Sequence, residues 1–229
     1  MKLHIGIAAI ALAGLLSAAN KEEPKEVQRL NEAATVFDEI MGIKERTIPQ
    51  ELLDKAECVI IVPGLKSAAF IFGGKYGKGV ISCRPENGEG WTGPSTVRIE
   101  GGSIGFQLGG KETDYVMLVM NRRGVEKLLQ SKFTLGGDMS VAGGPVGREA
   151  DAQTDAQMHA EMLAYSRSRG LFAGVSLNGA TLRQDQSDNR VIYGKPVTPR
   201  QILLEGLQPP ASAQKLIATL NKYSSRRKS

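Results

Sequence analysis

The sequence predicts an α+β fold: a curved, Gly-rich antiparallel sheet, closing toward a barrel, flanked by N-terminal, middle and C-terminal helices. Three observations predict it. Continuous apolar runs such as Cys58 to Val62 and Tyr115 to Met120 lack the alternation of half-exposed strands and suit strands buried on both faces. The 27 glycines fall inside apolar stretches rather than in Ser-rich linkers, as they do where strands bend or backbones approach closely. Helical periodicity is confined to the two ends and to one segment after Met120.

Residues 1–19 read as a signal peptide. Lys2 and His4 form a short basic start, Ile5 to Leu16 is apolar but too short to span a bilayer, and Ser17-Ala18-Ala19 offers small residues for cleavage. No Cys lies near that site to carry a lipid, and retention as an uncleaved anchor is the alternative reading. The mature chain is expected to be exported, periplasmic or secreted. Residues 20–223 are read as one domain and 224–229 as a solvated basic tail.

Lys21 to Met41 carries Val27, Leu30, Ala34, Phe37 and Met41 at three- and four-residue steps, with Pro24 in the first turn and Gly42 at the stop, which is an amphipathic helix. Ile48 to Lys55 is a turn and short helix begun by Pro49. Cys58 to Val62 is a buried strand expected to end at Pro63-Gly64. Ala68 to Gly73 and Gly77 to Cys83 read as two strands around a Gly74-Lys75-Tyr76 hairpin, and Ser95 to Leu108 as a long extended stretch. Gly109 to Asp114 reads as a turn into the buried strand Tyr115 to Met120. Asn121 can cap a helix from Arg122 to Gln130. Between Lys132 and Leu177, two Gly-rich extended segments enclose a polar, helix-compatible one, and Asp188 to Gly194 follows as a turn and short strand. Pro199 to Leu207 and Ala211 to Tyr223 close the chain as helices split by Pro209-Pro210.

The formal net charge of +5 falls to +4 when Lys2 leaves with the leader. So mild a basic excess, without aromatic interleaving, points away from nucleic acid and is compatible with an anionic membrane surface. The two cysteines, Cys58 and Cys83, each lie in an apolar run. An exported protein could pair them, and two buried free thiols fit the same surroundings.

Enzymatic readings lack their structural context. Gly101-Gly102-Ser103-Ile104-Gly105 matches the G-x-S-x-G of serine hydrolases, and Asp138 or Asp155 with His159 could complete a triad in chain order. That motif needs a helix directly after the serine, whereas Phe106 to Gly110 reads as strand and turn. The glycines match neither the Walker nor the dinucleotide spacing. One mature histidine and two separated cysteines are too few for a metal site, and no cofactor is expected.

Several motifs in fixed order resemble the SYLF domain family of lipid-binding proteins. They are Gly74-Lys75-Tyr76-Gly77-Lys78-Gly79, Gly101 to Gln107, Phe133-Thr134-Leu135-Gly136-Gly137-Asp138, Ala142 to Arg148 and Tyr165 to Gly174. The similarity runs from about Glu32 to Gly194. The resemblance implies phosphoinositide or acidic phospholipid binding in eukaryotic members, where the domain accompanies SH3 or FYVE modules and in fungi contacts actin. Bacterial members resemble stand-alone exported proteins. The family offers no catalytic residues to carry over, so charge chemistry chooses the candidates. Arg148, Arg167 and Arg169, with Lys75 and Lys78, are the expected head-group contacts, because guanidinium and ammonium groups suit phosphate. Lys25 and Arg29 mark the N-terminal helix as a second membrane contact. The expected function is non-enzymatic binding of an anionic phospholipid or membrane surface in the cell envelope. The alternatives are an envelope structural or protein-interaction module and, less favoured, a hydrolase using Ser103.

Overall fold

The computed structural model describes residues 22–43, 47–69, 72–86, 89–104, 109–147, 155–168, 170–175 and 177–225; side chains of 68–73, 103–110 and 155 are not described. The expected leader, the basic end of the tail, Arg148 and Arg169 lie outside these residues.

Helix α1 (Lys25–Met41) and helix α2 (Gln50–Lys55) precede a hairpin of long strands, β1 (Cys58–Ala69) and β2 (Phe72–Cys83). Strands β3 (Ser95–Ile104) and β4 (Gly109–Val119) follow, then α3 (Arg122–Leu128), β5 (Lys132–Thr134) and β6 (Val141–Gly143). The rest is α4 (Asp155–His159), β7 (Met162–Ser168), β8 (Leu171–Gly174), β9 (Thr181–Gln184), α5 (Gln186–Tyr193), α6 (Pro199–Leu203) and α7 (Gln214–Tyr223). The nine strands form one sheet in the order β5-β9-β3-β2-β1-β4-β7-β6, with β8 also on β7. All pairs are antiparallel except β6 with β7, so the sheet is mixed rather than purely antiparallel.

The two edges meet through a short segment. Leu135 N donates to Ala180 O beside edge strand β5, and Met162 N donates to Ser140 O beside edge strand β6. Residues 135–140 therefore step from one edge of the sheet to the other, which curls it into a half-barrel. Strand alternation then divides the core. Cys58, Ile60, Val62, Ile81, Val97, Ile99, Met117, Val119, Met162 and Leu182 fill the inside. Val59, Ile61, Val80, Val116, Leu118, Leu163 and Tyr165 face outward under Leu30, Ala34, Phe37 and Ile40 of α1 and Leu216 and Leu220 of α7. Both faces are buried, as the runs without alternation imply.

Pro63-Gly64 does not end β1. It forms a bulge at which the register against both β2 and β4 shifts, Gly64 takes φ +54°, and its N–H is satisfied by Asp114 Oδ1 at 2.9 Å. A bulge accepts a proline that an ordinary ladder position would not. Gly74-Lys75-Tyr76 is likewise strand, not hairpin: β2 begins at Phe72 and runs through it, paired to β1 as far as Ala69. Gly77 and Gly79 serve close packing, since a Cβ on either would collide with Leu65, Val62 or the Ile61 carbonyl across the bulge. Gly109 to Asp114 also belongs to a strand, β4. Residues 188–193 are helical rather than extended, and β9 precedes them. Asn189 draws this segment into α5: it accepts from Thr96 N at 2.7 Å and donates to Ser95 Oγ at 3.0 Å, pinning the helix to β3.

Cys58 and Cys83 are cross-strand partners joined by a disulfide, with Cα atoms 3.9 Å apart. Arg84 N donates to Glu57 O on one flank, which makes 58/83 a non-hydrogen-bonded pair, the position where antiparallel Cα atoms come closest. No described helix is long and apolar enough to cross a membrane.

Candidate functional site

Three cations on or over the outer face of the sheet, Lys78, Arg29 and Arg167, are held by carboxylates. Lys78 Nζ lies 2.9 Å from Asp185 Oδ2 and 2.9 Å from Asp188 Oδ1, and Arg29 of α1 donates to Asp188 Oδ2 at 2.8 Å. Burial disfavours the charge on Lys78, but its bonds to Asp185 and Asp188 outweigh this and raise its pKa. Burial likewise opposes ionisation of Asp185, and hydrogen bonds from Ser187 and Lys78 overcome it, holding the carboxyl below the usual aspartate range. Arg167 of β7 donates through Nε and Nη2 to Asp114 Oδ2 at 3.0 and 2.8 Å, and through Nη1 to Glu39 of α1.

Lys78, Arg29 and Arg167 are thus each ion-paired within the fold, where the sequence leads one to expect Lys78 and Arg167 as head-group contacts and Arg29 on a membrane-contact helix. Their carboxylate partners lie 110, 159 and 53 positions away in the chain, beyond the reach of local pattern. Lys25 is exposed on the first turn of α1.

Lys75 has a different setting. Alternation carries the inner face of β2 from Cys83 and Ile81 to Gly77 and Lys75, that of β4 from Val119, Met117 and Tyr115 to Thr113 and Lys111, and that of β1 past the bulge to Leu65 and Ser67. Ser67 pairs with Lys75 on one side and with Lys111 on the other, so Lys75, Ser67 and Lys111 form one row across three strands. The next row brings Tyr76, Lys66 and Glu112 together, pointing to the opposite face. Lys66 Nζ reaches Glu112 Oε1 at 3.6 Å, with both side chains largely exposed. A depression of about 710 Å³ is lined by Lys66, Ser67, Gly74, Lys75, Tyr76, Lys111 and Glu112. Among the described residues neither Lys75 nor Lys111 makes an ion pair.

Only Lys75 of these lysines stands out in the sequence. Lys66 and Lys111 are brought beside it by the pairing of β1 with β4. One signal was available: Lys66 and Lys75 bracket the uncharged residues 67–74, and Lys111 follows the uncharged residues 101–110.

Ser103 lies within β3 opposite Gly73, not on a strand-to-helix turn. His159 ends α4, just before Met162, which pairs with Val119 at the other end of the sheet. Three strands and the length of the sheet separate the two residues. Among the described residues no group of three or more His, Cys, Asp or Glu side chains is placed to hold a metal ion.

A strongly curled mixed sheet, closed off by N- and C-terminal helices and basic at one end, defines the class as an α+β half-barrel. The Ysc84 family, described as Las17-binding protein actin regulator, matches residues 100–223. The chain belongs to this family, the SYLF family that its motifs resemble. It is 34% identical over 203 residues to LAS seventeen-binding protein 3 of Saccharomyces cerevisiae, covering 87% of this chain and 44% of that protein. To an SH3 domain-containing protein of Schizosaccharomyces pombe it is 34% identical over 209 residues, covering 90% of this chain and 48% of the relative. To the human SH3 domain-containing YSC84-like protein 1 it is 31% identical over 205 residues, covering 89% and 59%. The chain spans about half the length of these relatives.

Proposed function

We propose that this chain is a non-enzymatic module that binds an anionic phospholipid surface through the Lys66, Lys75 and Lys111 end of its sheet. The observation that carries the reading is the Lys75–Ser67–Lys111 row: cations share one face, over an open depression, without an acidic partner among the described residues. Lys78, Arg29 and Arg167, by contrast, each meet a carboxylate. Unbalanced lysines close together repel one another, and an anionic surface relieves that repulsion. The leader-like residues 1–19 fit an exported setting, where the surface would be the envelope membrane.

Sedimentation with vesicles tests this. The protein is expected to bind phosphatidylglycerol-containing vesicles and not pure phosphatidylcholine, with binding weakened by salt. At about 1 kcal/mol per lysine near an anionic surface, Lys75→Ala with Lys111→Ala should weaken binding roughly 30-fold. Equal binding of the folded variant contradicts the reading.

The yeast relative LAS seventeen-binding protein 3 and the family's description as an actin regulator support a second reading, a protein partner in actin regulation or another assembly. Capture of a defined acidic protein by the same lysines, without vesicle binding, would favour it.

A further inference from the structure

We propose that the outer face of the sheet beside β5 carries a second anion site, for a linear acidic polysaccharide, formed by Arg98, Arg183 and Lys132. It stands apart from the lipid reading, on the opposite face of the sheet from Lys75 and Lys111. Strand register lines up Lys78 of β2, Arg98 of β3, Arg183 of β9 and Lys132 of β5, each directly opposite the next. Val97, Ile99, Leu182 and Phe133, their neighbours in sequence, fill the inside. Alternation therefore turns Arg98, Arg183 and Lys132 outward, as it does Lys78.

Like charges directly opposite one another across strands destabilise a sheet, and carboxylates do not cancel this row. Asp185 and Asp188 hold Lys78 at its covered end. Among the described residues Glu100 is the one carboxylate paired with the arginines, and it is shared. Its oxygens lie 3.0 Å from Arg98 Nε and 3.5 Å from Arg183 Nε, out of line for a hydrogen bond to either. The two arginine side chains are 34% and 36% exposed. Lys132 is exposed and makes no ion pair among the described residues. Three cations thus face one carboxylate, and an anion bridging them relieves their mutual repulsion.

A second row runs beside the first. Tyr76, Glu100, Thr181 and Thr134 are register partners in turn and point the same way. Tyr76 is 49% exposed, and among the described residues neither threonine hydroxyl bonds a protein group. Cations repeating at the strand separation, about 4.8 Å, suit a ligand whose anionic groups repeat along a line. The hydroxyls and the phenol ring offer hydrogen bonds and a flat face to sugar rings. An acidic glycan uses both rows, whereas an acidic peptide needs only the first.

Titration of the full chain with a heparin oligosaccharide, and with polyglutamate of matched charge, tests the assignment. The wild type should bind the heparin probe more tightly than polyglutamate. Arg98→Ala with Arg183→Ala should weaken heparin binding roughly tenfold or more, through lost charge-assisted hydrogen bonds. Lysine at both positions should also weaken it, because an ammonium keeps the charge and loses the planar fork. Glu100→Gln should tighten it, and Lys75→Ala with Lys111→Ala should leave it unchanged. Arg183→Gln should melt no lower than wild type, since it removes a like charge from the row. No heparin binding by the wild type, or binding lost only in the Lys75 and Lys111 variant, overturns the site. Polyglutamate bound as tightly as heparin assigns the row to an acidic protein segment and overturns the glycan. A lower melting temperature for Arg183→Gln, with heparin binding intact, assigns the arginines to the fold and overturns the proposal.

Discussion

Lys78 and Lys75 are three residues apart on one strand and have opposite fates. Lys78 faces outward, beneath α1 and α5, where Asp185 and Asp188 hold it. Lys75 faces inward at the open end of the sheet, in a row with Ser67 and Lys111 and with no carboxylate in that row. Residue type and local sequence are the same; strand alternation and the element packed opposite decide the role. A cation under a helix becomes part of the fold, and one at an uncovered sheet end keeps its charge without a carboxylate in its row.

The comparison is broken most forcefully at Asp188. Asp188→Ala leaves Arg29, with little of its side chain exposed, without its carboxylate and removes one partner of Lys78. A loss of about 3 kcal/mol in unfolding free energy is expected from urea denaturation. A variant as stable as wild type would mean that the outer cations are no more structural than the inner ones.

The converse substitution sharpens the contrast. Lys75→Ala with Lys111→Ala should change stability by less than about 0.5 kcal/mol, because solvated lysines without ion pairs contribute little to folding. The same variant should lose about 2 kcal/mol of affinity for anionic vesicles.

Acidity and alkalinity act on the outer cluster from opposite sides. Burial opposes the charge on Asp185, but Ser187 and Lys78 hold its folded pKa below the usual value. Its contribution is therefore present above the ordinary aspartate pKa and is lost as pH falls through the lowered folded value. Lys78 is raised above 10.5 in the folded protein by Asp185 and Asp188, against the cost of burial. Its contribution is present below that ordinary value and is lost as pH rises through the raised one. Thermal melts should show a flat plateau between about pH 5 and 9, falling on either side. In Asp188→Ala the alkaline fall should shrink.

The smallest effect is expected at the surface pair Lys66–Glu112. With side-chain exposures of 77% and 68%, a double-mutant cycle on stability should give a coupling below about 0.5 kcal/mol. A larger coupling would place Lys66 with the structural cations.

Elements whose ends carry their own signals were legible in the sequence. Asn121 caps α3 as expected, its side chain accepting from Gly124 N at 2.9 Å. Pro49 precedes α2 as its N-cap, and Pro24, expected within the first turn of a helix from Lys21, is instead the N-cap of α1, which begins at Lys25. Features that depend on distant chain were not. The Pro63-Gly64 bulge is stabilised by Asp114 on another strand, α5 is held by Asn189 against β3, and the parallel β6–β7 pair follows from the 135–140 crossing between sheet edges. The candidate site divides the same way. Lys75 was nominated by its Gly-rich surroundings, whereas Lys66 and Lys111 join it only when β1 pairs with β4, 44 positions apart at Ser67 and Lys111. The disulfide remained open in the sequence because only strand register brings Cys58 opposite Cys83.

The central claim is that the open sheet end, rather than α1, is the membrane-binding face. Vesicle-binding isotherms of the wild type, the Lys75→Ala/Lys111→Ala variant and a Lys25→Ala control, at one ionic strength on phosphatidylglycerol-containing vesicles, test it most directly. Binding roughly 30-fold weaker for the sheet-end variant and within about fivefold of wild type for the α1 control is the predicted result. Equal isotherms for the sheet-end variant and wild type, with both folded, would contradict it.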